Sequence, residues 1–179
     1  MNIVWLKRDI RTIDHEPFFW AENLKEDYII VYLLEPKLIS HTDTSIRHLH
    51  FIYNSILDVN NELKKFNRQV NIFLANGENV FDYLTTKYQV SNVFSYKESG
   101  VNLSWQRDKK VLKTLNKNRV KWKQFDNQGV LRGIKDRVGW DKNWFSYINS
   151  SVVKNKFSKT SFKIEKSKYD FTIEKIPEL

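Results

Sequence analysis

Residues 3–21 read IVWLKRDIRTIDHEPFFWA, and the change of character inside this stretch decides the fold. Ile3, Val4, Trp5 and Leu6 are a short β-prone apolar run, the pattern of a strand buried on both faces. It breaks at once into Lys7, Arg8, Asp9, Ile10 and Arg11, with Asp14 placed to start a helix. Pro17 then falls in the first turn of that helix, where a missing N–H costs little. A buried strand that releases a charge cluster at its carboxyl end, just ahead of a helix, is how open α/β sheets build ligand sites.

Working outward, the same alternation repeats. Strands are expected at Asn2–Leu6, Tyr28–Leu34, Val70–Ala75, Asn92–Tyr96 and Lys121–Phe125, with helices at about 14–25, 45–66, 78–88 and 103–117. The second helix is the clearest: Ile46, Leu49, Ile52, Ile56, Val59 and Leu63 recur at three- and four-residue steps, and Thr44 or Ser45 can cap it. Trp140, Trp144 and Ile148 share one face of a further helix. The β-α-β-α rhythm predicts a Rossmann-like three-layer α/β sandwich: a five-stranded parallel sheet, strand one central, flanked by helices. Residues 1–150 form this domain. Residues 151–179 lack any sustained period, are rich in Ser and Lys, and read as an interdomain linker or tail.

The 179 residues include no cysteine, which excludes disulfides and thiolate metal sites and fits a cytoplasmic setting. No apolar run is long enough to span a membrane, and no signal-peptide pattern opens the chain. The net charge is +9. Residues 1–150 carry 23 basic and 17 acidic side chains, and 151–179 carry seven and four. So dispersed a surplus predicts only weak, non-specific, salt-sensitive DNA binding, of order 10⁻⁴–10⁻⁶ M.

In a parallel sheet the chemistry belongs beyond the carboxyl ends of the strands. Three segments supply it: Lys7–Arg11 after strand one, the long loop running to Arg47 and His48 after strand two, and Lys97-Glu98-Ser99-Gly100 after strand four. Arginine forks suit an anionic or polar heterocyclic ligand, and a carboxylate accepts from ring N–H groups. Taken alone, Arg8, Asp9 and Arg11 read more readily as a solvated ion-pair cluster closing the strand than as a ligand site. Neither G-x-G-x-x-G nor G-x-x-x-x-G-K-[ST] occurs, so the usual dinucleotide and P-loop phosphate sites lack their glycines. His48 and His50 point to different sides of a helix and do not make a zinc site with His41. No nucleophile elbow is present, and no self-contained catalytic machinery is legible.

Trp5-Leu6-Lys7-Arg8-Asp9-Ile10-Arg11 with Asp14-His15 and Ala21 resembles the opening of the photolyase/cryptochrome N-terminal domain. Arg47 with Phe51, Ser55-Ile56 and Leu63 is similar to that family's second helix, and Glu98 with Arg107-Asp108 to the segment after its fourth strand. Val130-Leu131-Arg132 and GWDKNWFSYI resemble a bacterial subgroup. The resemblance implies a domain that holds a light-harvesting antenna (a reduced folate, a deazaflavin or FMN) with Arg8, Asp9, Arg11, Arg47, Lys97 and Glu98 as its contacts. It further implies FAD in a separate helical domain, absent here, which packs on this one, and DNA containing pyrimidine dimers as the parent's substrate. The parent would be a blue-light-driven deoxyribodipyrimidine photolyase. A cryptochrome photoreceptor, or a stand-alone nucleotide-binding or interaction module on the same fold, is the alternative.

Overall fold

The computed structural model describes residues 1–126, 129, 131 and 133–176. Its strands are β1 (Asn2–Leu6), β2 (Tyr28–Leu33), β3 (Val70–Phe73), β4 (Asn92–Tyr96) and β5 (Lys121–Phe125). They form one all-parallel sheet in the order β3-β2-β1-β4-β5. Strand order reverses between β1 and β4, the place where such sheets open a crevice at their carboxyl ends. Helices α1 (Glu16–Asn23) and α3 (Ile46–Leu63) cover one face. Helices α4 (Gly77–Lys87) and α5 (Asn102–Lys117) cover the other. Short α2 (Pro36–Ile39) lies in the loop after β2, and α6 (Trp140–Ile148) follows the sheet.

All five residues of β1 are buried, as its unbroken apolar run requires. Val4 and Leu6 pack with Phe18, Ala21 and Ile56, while Ile3 and Trp5 pack with Phe81, Val111 and Leu115. The two-residue period of the strand thus feeds two separate cores. Of the Val130-Leu131-Arg132 motif, only Leu131 lies within the described residues.

Element boundaries depart from expectation where side chains or the C-terminal segment intervene. Asp14 does not start α1: it sits at φ +52°, and His15 is the N-cap. The His15 Nδ1 accepts from the Phe18 N–H at 3.3 Å, while the Asp14 carboxylate accepts from the Val153 N–H at 2.9 Å. β3 stops at Phe73, short of Ala75, because the Leu74 N–H donates to the Tyr169 carbonyl at 2.8 Å. α3 ends at Leu63 and tightens through a 3₁₀ turn to Asn67, left-handed at φ +55°.

The residues beyond 150 run as a strap around the domain. Asn155 exchanges two hydrogen bonds with the His15 backbone, at 2.9 and 2.8 Å. Phe157 packs edge-on against Phe18 and beside Phe66. Phe162, Ile164 and Tyr169 join the core of the α4/α5 face, and Phe171 and Ile176 return to the other. The strap then bridges Phe73 antiparallel through Asp170, with the Phe171 N–H donating to the Ile72 carbonyl at 2.9 Å. The outer edge of β3, otherwise an open template for pairing, is covered there.

Candidate functional site

The chain leaving β1 sends successive side chains in different directions. Lys7 stays on the Trp5 side, with its Nζ 4.3 Å from the Trp5 ring, 5.1 Å from Trp122 and 3.0 Å from the Asp108 carboxylate. Burial lowers its pKa, against the pull of Asp108. Arg8 turns outward, its side chain 69% exposed, and donates from Nε to Glu98 at 3.0 Å. Asp9 turns inward and accepts from the Lys7 N–H at 2.9 Å and from His15 Nε2 at 2.7 Å. Arg11 folds back to donate to the Ile13 and Asp14 carbonyls, its guanidinium 5.6 Å from the Tyr96 ring at the end of β4.

Arg107 is the hub of the cluster. Its guanidinium donates to Glu35 at 3.1 Å, Glu98 at 2.5 Å and Asp108 at 2.9 Å, and lies 4.9 Å from the Trp5 ring. Burial works against its charge, but Glu98, Asp108 and Glu35 outweigh that and raise its pKa. Glu98 is pushed up by burial, yet Arg107 prevails and holds it below the usual carboxylate range. Glu35 keeps a raised pKa because burial outweighs Arg107 and the Gly77 N–H, which donates to it at 2.8 Å. A Cβ on Gly77 would stand 2.9 Å from Val111 and 3.3 Å from this carboxylate, so the α4 terminus approaches that closely only as glycine.

The six candidate contacts therefore separate. Arg8 and Glu98 are joined directly, bringing the ends of β1 and β4 together. Lys97 stands beside them in sequence and pairs with Asp126 at 2.9 Å. Asp9 and Arg11 are engaged within the fold, bracing the loop from below. Arg47 lies exposed in the first turn of α3, and among the described residues no hydrogen bond or ion pair ties it to the other five. Lys7, His15, Glu35 and Arg107, which hold the site, were not among the expected contacts. Arg107 left a trace in the sequence: it falls on the buried stripe Ser104, Arg107, Val111, Leu115 of α5, where an arginine needs partners.

The donor set suits an anionic, polar-edged ligand: an exposed cation at Arg8, a half-buried one at Lys97, and a carboxylate positioned by two arginines. The cavity beside Arg107, lined by Glu35, Asn76, Gln106 and Lys110 among others, measures only about 40 Å³. Enclosed ligand sites run to several hundred. A roomier cleft of about 350 Å³ lies elsewhere, between the strap at Thr160–Ile164 and the Asn60–Asn71 region.

The buried pair His15–Asp9 makes pH a probe of this loop. Burial lowers the pKa of His15, opposed by Asp9. The unfolded chain therefore takes up a proton near pH 6.5 that the folded one refuses, so stability is full above that pH and falls as pH drops below it. We expect a slope of up to about 1.4 kcal/mol per pH unit between roughly pH 6.5 and 5.5. Urea unfolding across that range should show it in the wild type and not in His15→Asn.

The DNA photolyase family model matches residues 2–136. The chain belongs to that family. A deoxyribodipyrimidine photo-lyase of Buchnera aphidicola is 25% identical over 165 residues, covering 86% of this chain and 33% of the relative. An archaeal photolyase structure from Sulfolobus tokodaii, described with two FAD molecules and an implied novel light-harvesting cofactor, superposes with a TM-score of 0.71 at 21% identity. It is covered to 39%, and this chain to 92%. A Synechocystis cryptochrome gives a TM-score of 0.72 at 16% identity, with 92% of this chain and 38% of that one covered. The photolyase-family chain thus has the α/β fold of the family's N-terminal domain and spans about a third of the curated relative. No helix among its described residues is long and apolar enough to cross a membrane.

Proposed function

We propose that this chain is the antenna-chromophore-binding domain of a blue-light-driven deoxyribodipyrimidine photolyase. In the whole protein, residues 151–179 lead toward a helical domain that holds FAD and meets DNA containing pyrimidine dimers. The observation carrying this reading is the convergence of two loops at the reversal of strand order, where Arg8 from β1 meets Glu98 from β4 at 3.0 Å. A bound chromophore supplies light absorption and passes its excitation on. The chain's own residues do the holding: Arg8, Lys97 and Arg47 face anionic groups, Glu98 accepts from ring N–H groups, and Asp9 and Arg11 fix the loop. The photolyase reading is preferred to the cryptochrome one because the curated sequence relative is a photo-lyase.

The test is fluorescence titration of a reduced folate, a deazaflavin, FMN and FAD into the chain and its Arg8→Gln and Arg47→Ala variants. One of the four should bind, and each variant should weaken it about ten- to a hundredfold, the loss of one charge-assisted contact. Binding of none, or equal binding by all three proteins, would remove these residues from any antenna site.

A further inference from the structure

The charge of this protein is not dispersed. Between residues 109 and 125 stand seven cations, Lys109, Lys110, Lys113, Lys117, Arg119, Lys121 and Lys123, and not one acidic residue. The rest of the chain holds 23 basic and 21 acidic side chains, so this single segment supplies seven of the nine net charges. The fold places the segment along one edge of the sheet: α5 on one face, then the turn and the edge strand β5, whose Lys123 turns to the other face beside Trp20 of α1. All seven side chains belong to exposed residues.

Their spacing is regular. Lys109, Lys113 and Lys117 follow one another at four-residue steps, about 6 Å apart along the helix axis. Lys121 and Lys123 alternate with Trp122 and share one side of β5, about 6.6 Å apart. Two cations are tied across to α4, Lys110 to Glu78 at 3.2 Å and Lys117 to Asp82 at 3.9 Å. Lys123 lies 3.1 Å from the Trp20 ring. Lys109, Lys113, Arg119 and Lys121 have no ion pair among the described residues.

Two plainer explanations fall short. Lysines on an edge strand discourage strand pairing, which accounts for Lys121 and Lys123 but not for α5 or Arg119. Solubilising surfaces pair cations with neighbouring carboxylates, which Glu78 and Asp82 of α4 do for Lys110 and Lys117 but not for Lys109, Lys113, Arg119 or Lys121 among the described residues. A run of exposed cations along one sheet edge, four of them without a carboxylate partner among the described residues, matches a polymer of closely spaced anions, and duplex DNA presents one phosphate per 3.4 Å of each strand. We propose that the α5–β5 flank binds the phosphate backbone of duplex DNA without regard to sequence or damage. This contact belongs to the α/β domain itself, and its success or failure is independent of chromophore binding at the other site.

The experiment is fluorescence anisotropy of the full chain with a labelled 20-base-pair undamaged duplex at several salt concentrations. Lys113→Gln/Lys117→Gln/Lys121→Gln is compared with Lys154→Gln/Lys156→Gln/Lys163→Gln, a strap variant of identical net charge. The wild type should bind with a Kd of order 10⁻⁴–10⁻⁶ M near physiological salt. The flank variant should lose at least tenfold and its slope of log K against log salt should shrink by about 2.7, while the strap variant changes less than threefold. A dimer-containing duplex should bind no tighter than the intact one. Equal losses in the two variants, an unchanged slope, absence of binding at low salt, or equal affinity for phosphatidylserine vesicles would each overturn the proposal.

Discussion

Replacing Arg107 with alanine is expected to cost about 3–5 kcal/mol, the penalty for leaving buried charges without their partner. The reason lies in the number of carboxylates that depend on it. Glu35, Glu98 and Asp108 all accept from this one guanidinium, and the first two are buried to within a few percent of complete enclosure. Arg107→Lys should fail nearly as badly, since one ammonium cannot span three acceptors fixed in different directions. The loss should carry a pH signature. With Arg107 gone, burial governs Glu98, and its pKa moves from below the ordinary value to above it. A carboxyl group raised in the folded state destabilises once pH exceeds the unfolded value near 4.3. The deficit should therefore be largest at pH 7 and shrink toward pH 5. Urea unfolding of both variants at the two pH values checks this, and an equal deficit at both would refute the account of Glu98.

The second large effect is expected from removing the strap. A chain ending at residue 150 loses Phe157 from between Phe18 and Phe66, and Phe162, Ile164, Tyr169, Phe171 and Ile176 from the two cores. It also uncovers the Ile72 carbonyl and Leu74 N–H on the edge of β3. Truncating even one well-buried phenylalanine costs about 3–5 kcal/mol, and all of these but the buried Ile176 are partly buried, so a net loss of similar size is expected after the ordering entropy of the strap is recovered. For a chain of this length that is roughly 10 °C in Tm. Association through the opened edge should follow. Thermal unfolding and light scattering of residues 1–150 decide the matter. A Tm equal to that of the full chain would mean that the strap merely rests on the surface.

The difference between β1 and the strap explains what could be read from the chain beforehand. β1 and α3 announce themselves because a regular element repeats its burial at a fixed period, two in a strand and 3.6 in a helix. The strap buries Phe157, Phe162, Ile164, Tyr169, Phe171 and Ile176 at irregular intervals and bonds its backbone to other elements, so no period marks it. The site shows the same division. The charges after β1 and β4 were legible as a place, because topology alone puts strand ends together. Which of them face outward was not, since that depends on partners distant in sequence: His15 drawing Asp9 inward, and Arg107 gathering Glu35 and Glu98. The cationic flank was hidden for another reason. Charge counted over 150 residues, a surplus of six, averages away a segment of 17 that by itself carries seven.

The central claim, that a chromophore is held where β1 and β4 end, is tested most directly by amide chemical-shift mapping. Isotope-labelled chain is titrated with whichever of the reduced folate, deazaflavin, FMN or FAD it binds. The account predicts shifts concentrated at residues 7–11 and 97–100, with further changes at Arg47. Shifts concentrated instead at Asn61, Lys64, Gln69 and Lys163, which line the 350 Å³ cleft at the strap, would contradict it.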